Sequence, residues 1–239
     1  MQGNLLAFLE SVMSIDGNAQ DVRDHIEHRS VDVNAATEEG YTALHCAAIA
    51  DWNEEQDGRM RVLLDAGAKL EARAKTQLVP SATPLMLAAL EGYAAQVHTL
   101  IRYGADVNAR DGYGRTPLML AVLSGCYVKD KVLGLLEAGA DVSISDSTGR
   151  AAFAYALDCL QARSDPGRAQ VENRYLQEIE RGVEETLSQA WTPIGLAGDI
   201  PEIIERQRRD LESLRSKSTD ELREVINLLR DAERGQRSL

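Results

Sequence analysis

The sequence predicts an all-α repeat solenoid: a stack of helix pairs joined by short β-hairpin turns, with a helical C-terminal extension. Three observations carry this. The stretch Ala82 to Arg110 (ATPLMLAALEGYAAQVHTLIRYGADVNAR) reads as helix, turn, helix and loop. The same order restarts at Gly114 (GRTPLMLA) and closes at Gly134 to Asp146 (GLLEAGADVSISD). Thr83 and Thr116 are 33 residues apart, Gly104 and Gly139 35. A unit of that size cannot bury its apolar face alone and must stack on neighbours.

The elements follow in order. Asn4 to Val12 reads as an amphipathic helix through Leu5, Leu6, Phe8, Leu9 and Val12, and Asp21 to His28 as its partner. Together they form a worn first repeat over 1–36, a cap whose outer side has to be polar. The next unit opens at Thr42-Ala43-Leu44-His45. Thr83-Pro84 and Thr116-Pro117 open two more, because threonine accepts from orphan helix amides and a proline at the first position has no amide to leave unpaired. Leu85, Leu87, Ala88 and Ala89 give a small-residue packing face, and Gly92 stops that helix. Val97, Leu100 and Ile101, at three- and four-residue steps, mark a second helix closed by Gly104, and Asp111-Gly112 is a turn. Gly149-Arg150-Ala151-Ala152-Phe153 stands 35 residues after Gly114, and the repeats with their loop insertions run over 37–169.

These residues resemble the ankyrin repeat family. The matches are TALH at Thr42 to His45, TPLM at Thr83 to Met86 and at Thr116 to Met119, GADVNA at Gly104 to Ala109 and GADVSI at Gly139 to Ile144. The resemblance is clear from about Val31 to Phe153. The family's pattern has histidine after TPL, where it serves the turn through hydrogen bonds. Only His45 keeps it; Met86 and Met119 replace it. The resemblance implies a stack that binds proteins on its turns and first helices.

Departures from the regular length point to loops, since packed layers cannot absorb extra residues. Leu44 to Gly67 spans 23 residues against 19 for Leu85 to Gly104, which places an insertion in Ala50 to Gly58. A second lies near Lys75 to Ser81, and a shorter one around Gly125 to Asp130. Trp52, among Asp51, Glu54, Glu55 and Asp57, is either an aromatic anchor with an acidic rim or a cover over its own helix pair. Tyr41 and Tyr113, with Arg115 beside Tyr113, are expected to project along the hairpin edge as contacts. Leu90, Glu91 and Leu123 are expected on the inner surface, where leucine flanks would suit a peptide or helical segment, or would only pack on neighbouring turns. Tyr93 and Tyr127 are expected to pack between helices.

Beyond Phe153 the periodicity changes. Ala151 to Ala162 reads as a helix, Asp165-Pro166-Gly167 as a loop, and Val171 to Gln189 as a longer helix. Trp191 to Ala197 (WTPIGLA) is similar to the family's opening with glycine in place of histidine. A helix starting at Pro201 and another over Thr219 to Ala232, with Ser218 and Glu221 as a capping box, complete a divergent region over 170–239. Leu222, Val225, Ile226 and Leu229 give the last helix an apolar side. It either seals the stack or belongs to a protruding hairpin that dimerises or engages a partner, so homo-oligomerisation stays open.

Composition narrows the function classes. A formal charge of −12 argues against a nucleic-acid binder and makes a basic protein the natural partner. The N-terminus lacks the basic-then-apolar pattern of a signal peptide, and no membrane association is expected. Cys46, Cys126 and Cys159 lack CxxC spacing and read as small core residues in a reducing, cytoplasmic setting. His25 and His28 share a helix with Asp24 and Glu27, but a metal site needs more converging ligands, and a solvated polar face is the expectation. No catalytic residues, metal or cofactor are nominated. The reading is a non-enzymatic protein-binding module; the alternatives are a steric inhibitor of a basic toxin or effector, such as an immunity protein or antitoxin, and an enzyme with its site in the C-terminal helices.

Overall fold

The structure is a computed structural model and describes residues 2–14, 18–28, 31–50, 54–76, 78–124, 127–164 and 219–236. Ten helices occur among them. They are α1 (Gln2–Met13), α2 (Ala19–Glu27), α3 (Ala43–Ile49), α4 (Glu54–Asp65), α5 (Pro84–Leu90), α6 (Ala94–Arg102), α7 (Pro117–Leu123), α8 (Val128–Glu137), α9 (Ala152–Ser164) and α10 (Thr219–Gln236). Two short antiparallel strands, β1 (Ala74–Lys75) and β2 (Pro80–Ala82), form the hairpin between α4 and α5.

The helices stack in two rows. First helices meet as α1 on α3, α3 on α5, α5 on α7 and α7 on α9, and second helices as α2 on α4, α4 on α6 and α6 on α8. The last layer is completed from far along the chain: α10 packs on both α9 and α8, where the second helix of a fifth pair belongs. Its Leu222, Val225, Ile226 and Leu229 are buried, so within the described residues this helix seals the stack. The helices expected over Val171 to Gln189 and from Pro201, the WTPIGLA segment and Ser218 lie outside the described residues.

Repeated local chemistry explains the layers. Thr83 and Thr116 accept the amides of Met86 and Met119 at 3.2 and 3.5 Å. Gly104, at φ +92°, ends α6, and the amide of Ala105 then closes the helix on the Leu100 carbonyl at 3.1 Å. Each α5 residue is buried, as are Leu44, Leu63, Leu100, Leu118 and Leu135 in neighbouring elements. Each buried leucine or methionine among them contributes about 1.5–3 kcal/mol.

The carbonyls left at helix C-termini find polar partners in the next layer. Arg59 on α4 donates to the carbonyls of Ser11, Val12 and Ser14 at the end of α1. Gln96 on α6 donates to those of Ala47 and Ala50 at 2.8 Å. Lys131 on α8 reaches Ala89 at 3.2 Å and the Ser124 hydroxyl at 2.6 Å. Arg59 and Lys131 place positive charge where the helix dipole is negative. Close approach at Gly92 leaves no room for a side chain: an added Cβ would lie 2.4 Å from the Ala48 carbonyl.

Two local expectations are corrected. His25 does not lie on a solvated face; it is buried, bonded to the Asp21 carbonyl at 2.8 Å and packed on Phe8, while His28 is exposed. The insertion near Ala50 to Gly58 is partly taken up as helix, since α4 has 12 residues against 9 in α6.

Candidate partner-binding surface

Successive hairpins are stitched along one edge. The Lys75 amide donates to the Glu39 carbonyl, Gly112 to Pro80 and Ser147 to Tyr113. Two of the tips are also braced from within by an aspartate. Asp111 accepts the amides of Tyr113 and Arg115 and the Arg115 side chain at 2.7–2.9 Å. Asp146 accepts Thr148, Arg150 and the Tyr155 hydroxyl at 2.6–2.9 Å. Burial pushes the Asp146 carboxyl up, but these donors outweigh it and hold the acid well below its usual range. Burial and the Asp146 charge together raise Tyr155. Asp111 and Asp146 are therefore committed to holding the loop shape.

The loops that lead from the second helices into the hairpins carry a separate ladder. Asn34 accepts from the Lys69 amide and donates to the Gly67 carbonyl. Glu71 accepts from the Asp106 amide, and Asn108 repeats the asparagine pattern with Asp141 and Gly139. Repeat-to-repeat geometry is thus fixed by two sets of bonds, which presents the hairpin tips on a preformed frame.

Tyr113 projects from its tip at 48% exposure. Arg115 is brought beside it, with the guanidinium 5.0 Å from the ring centre, but Arg115 is buried and ion-paired to Asp111 at 2.8 Å. It positions Tyr113 and is not itself offered to solvent. Tyr41 does not project as expected: it is 4% exposed and packed edge-on against His45, and burial, then the Glu91 charge, raises its phenol. Its ring fills space beneath the first hairpin because the structural histidine stands there.

Leu90 is likewise buried and forms no groove flank, whereas Leu123 is half-buried. Glu91 is half-buried; burial pushes its carboxyl up to about 7 against the lowering pull of Lys131. Tyr127 is 45% exposed instead of packed between helices, with its ring centre 5.4 Å from that of half-buried Tyr93. Trp52 and Cys126 lie outside the described residues. Cys46 is buried and Cys159 half-buried.

Sequence reasoning missed Arg73 and Arg110. Both are exposed, and each reaches into the next repeat: Arg73 donates to the Arg110 carbonyl at 2.8 Å, and Arg110 to the Ser145 carbonyl at 2.7 Å. The signal was present in EAR and NAR, the same repeat position read twice. Among the described residues no cluster of His, Cys, Asp and Glu could hold a metal, and no helix is long and apolar enough to cross a membrane.

A family profile described as ankyrin repeats (3 copies) matches residues 11–111 and, in a second placement, 60–146. Ankyrin repeat and SOCS box protein 6 of Homo sapiens is 31% identical over 148 residues, 59% of this chain and 34% of that protein. Inactive serine/threonine-protein kinase TEX14 of Bos taurus is 33% identical over 122 residues, 50% of this chain and 8% of that protein. ARF GTPase-activating protein Git of Drosophila melanogaster is 62% identical over 39 residues, 16% of this chain and 5% of that protein. The chain spans about a third or less of the length of these relatives.

Proposed function

This chain belongs to the ankyrin repeat family, and on that premise we propose that it is a non-catalytic module holding a protein partner on its hairpin tips and the adjoining first helices. Ankyrin repeats are generally protein–protein interaction modules. The similar segments occur in relatives titled as a SOCS box protein, an inactive kinase and a GTPase-activating protein, which favours a shared binding frame over any one of those proteins' activities. The observation that carries the reading is Tyr113: an aromatic side chain held half-exposed at a tip whose backbone and neighbouring arginine are locked by Asp111. Rigid aromatic groups lose little entropy on binding and commonly carry much of an interface's affinity.

Charge divides the surface. The loops after the second helices carry exposed Asp32, Glu71 and Asp106, so the basic partner favoured by the net charge of −12 fits those loops, with Glu91 on the inner face. The test is affinity capture from source-cell lysate with the full chain and with Tyr113→Ala. The reading expects a stoichiometric protein whose retention falls about tenfold or more in the variant. Retention unchanged by Tyr113→Ala, or no retained protein at low salt, contradicts it.

A further inference from the structure

The charge of the hairpin edge is opposite to that of the chain. Over 73–82, 110–116 and 145–151 the cations are Arg73, Lys75, Arg110, Arg115 and Arg150, and the only acids are Asp111 and Asp146. Both acids are buried and turned into their own loops. Arg115 is paired with Asp111, and Arg150 with Asp158. Arg73 and Arg110 differ: both are exposed, and their described hydrogen bonds go to backbone carbonyls, which orient a guanidinium without neutralising it. Lys75 and Tyr113 are exposed on the same edge. The hairpin before this run carries Glu38 and Glu39, which marks its end.

We infer that the hairpin edge from Arg73 to Arg150 is a docking strip for an acidic, carboxylate-rich segment of a partner protein, laid across successive tips and packed on Tyr113. Salt screens exposed charges beyond about 8 Å at physiological ionic strength, so a segment on this edge meets the local guanidiniums more strongly than the distant net charge. A guanidinium fixed by carbonyls through part of its fork still presents donors in a plane that suits a carboxylate. The strip rests on the reading of this chain as a partner-binding module and specifies the chemistry of what it holds there.

The test is fluorescence anisotropy of a labelled peptide of alternating glutamate and serine titrated with the full chain. Binding is expected to saturate, to weaken with added salt, and to fall at least about tenfold when Arg73→Gln is combined with Arg110→Gln. The matched removal of charge by Arg23→Gln with Arg223→Gln, exposed on α2 and α10, changes it less than about twofold. Thermal melts check folding; Lys75→Gln with Tyr113→Ala gives an independent pair should the arginine variant unfold, and the same loss is expected of it.

Equal losses in the hairpin pair and the α2/α10 pair, equal binding of a thymidine oligonucleotide, or no binding of the acidic peptide each overturns the inference. If the acidic peptide fails while a captured partner still depends on Tyr113, the charge of the occupant is wrong and the binding-module reading stands.

Discussion

At His45 burial decides a protonation state. Its Nδ1 accepts the Thr42 amide at 3.2 Å and its Nε2 lies 3.2 Å from the Ala82 carbonyl, so Nε2 carries the proton and the ring is neutral. Burial lowers it to about 4 from 6.5, against carbonyl bonds that pull upward. The folded state therefore resists protonation: the contribution is full above about pH 6.5 and drains as pH falls toward 4, by at most about 3 kcal/mol. Glu91 has the opposite sign. Its folded carboxyl stands at about 7 against an ordinary 4.5, so its contribution is full below pH 4.5 and is lost as pH rises through 7. Urea unfolding across this range should show a flatter acid limb for His45→Gln and, for Glu91→Gln, a flatter limb between pH 4.5 and 7; unchanged slopes would refute the assignments. Residue identity was legible where a rule ties it to a backbone task, as at Thr83 and His45. It was not legible at Tyr41, Leu90 and Arg115, where a neighbouring layer decides whether the side chain faces out.

The helices of the regular repeats were legible because caps, apolar spacing and closing glycines agree along α5 to α8. The hairpin with β1 and β2 was legible only as an insertion near Lys75 to Ser81; its strands depend on pairing that the local sequence does not encode. The position of α10 was harder still. Its amphipathic face favours a cap but also fits a protruding hairpin, and contact with α8 and α9 across the intervening chain is a tertiary outcome. Burial of Leu229 makes that placement measurable. Leu229→Ala should lower unfolding free energy by about 2–3 kcal/mol in denaturant titration, as for a core leucine, whereas a helix swinging free would lose less than about 0.5 kcal/mol.

For the whole molecule, a net charge of −12 does not describe the hairpin edge, whose cations outnumber its acids. The periodic fold sorts residues by their place in the repeat, so arginines recurring at one position gather on the hairpin edge while aspartates of the GAD loops recur at the start of the loops that lead into it. The Arg73 and Arg110 bridges, the amides joining successive hairpins and the Asn34, Glu71 and Asn108 ladder give a frame that needs little rearrangement to bind. The most direct measurement of the central claim is amide hydrogen exchange of the full chain with and without its captured partner. The account predicts added protection at the hairpin tips over 73–82, 110–116 and 145–151, with the outer side of α4, α6 and α8 unchanged. Protection confined to those second helices, or none at the tips, would contradict it.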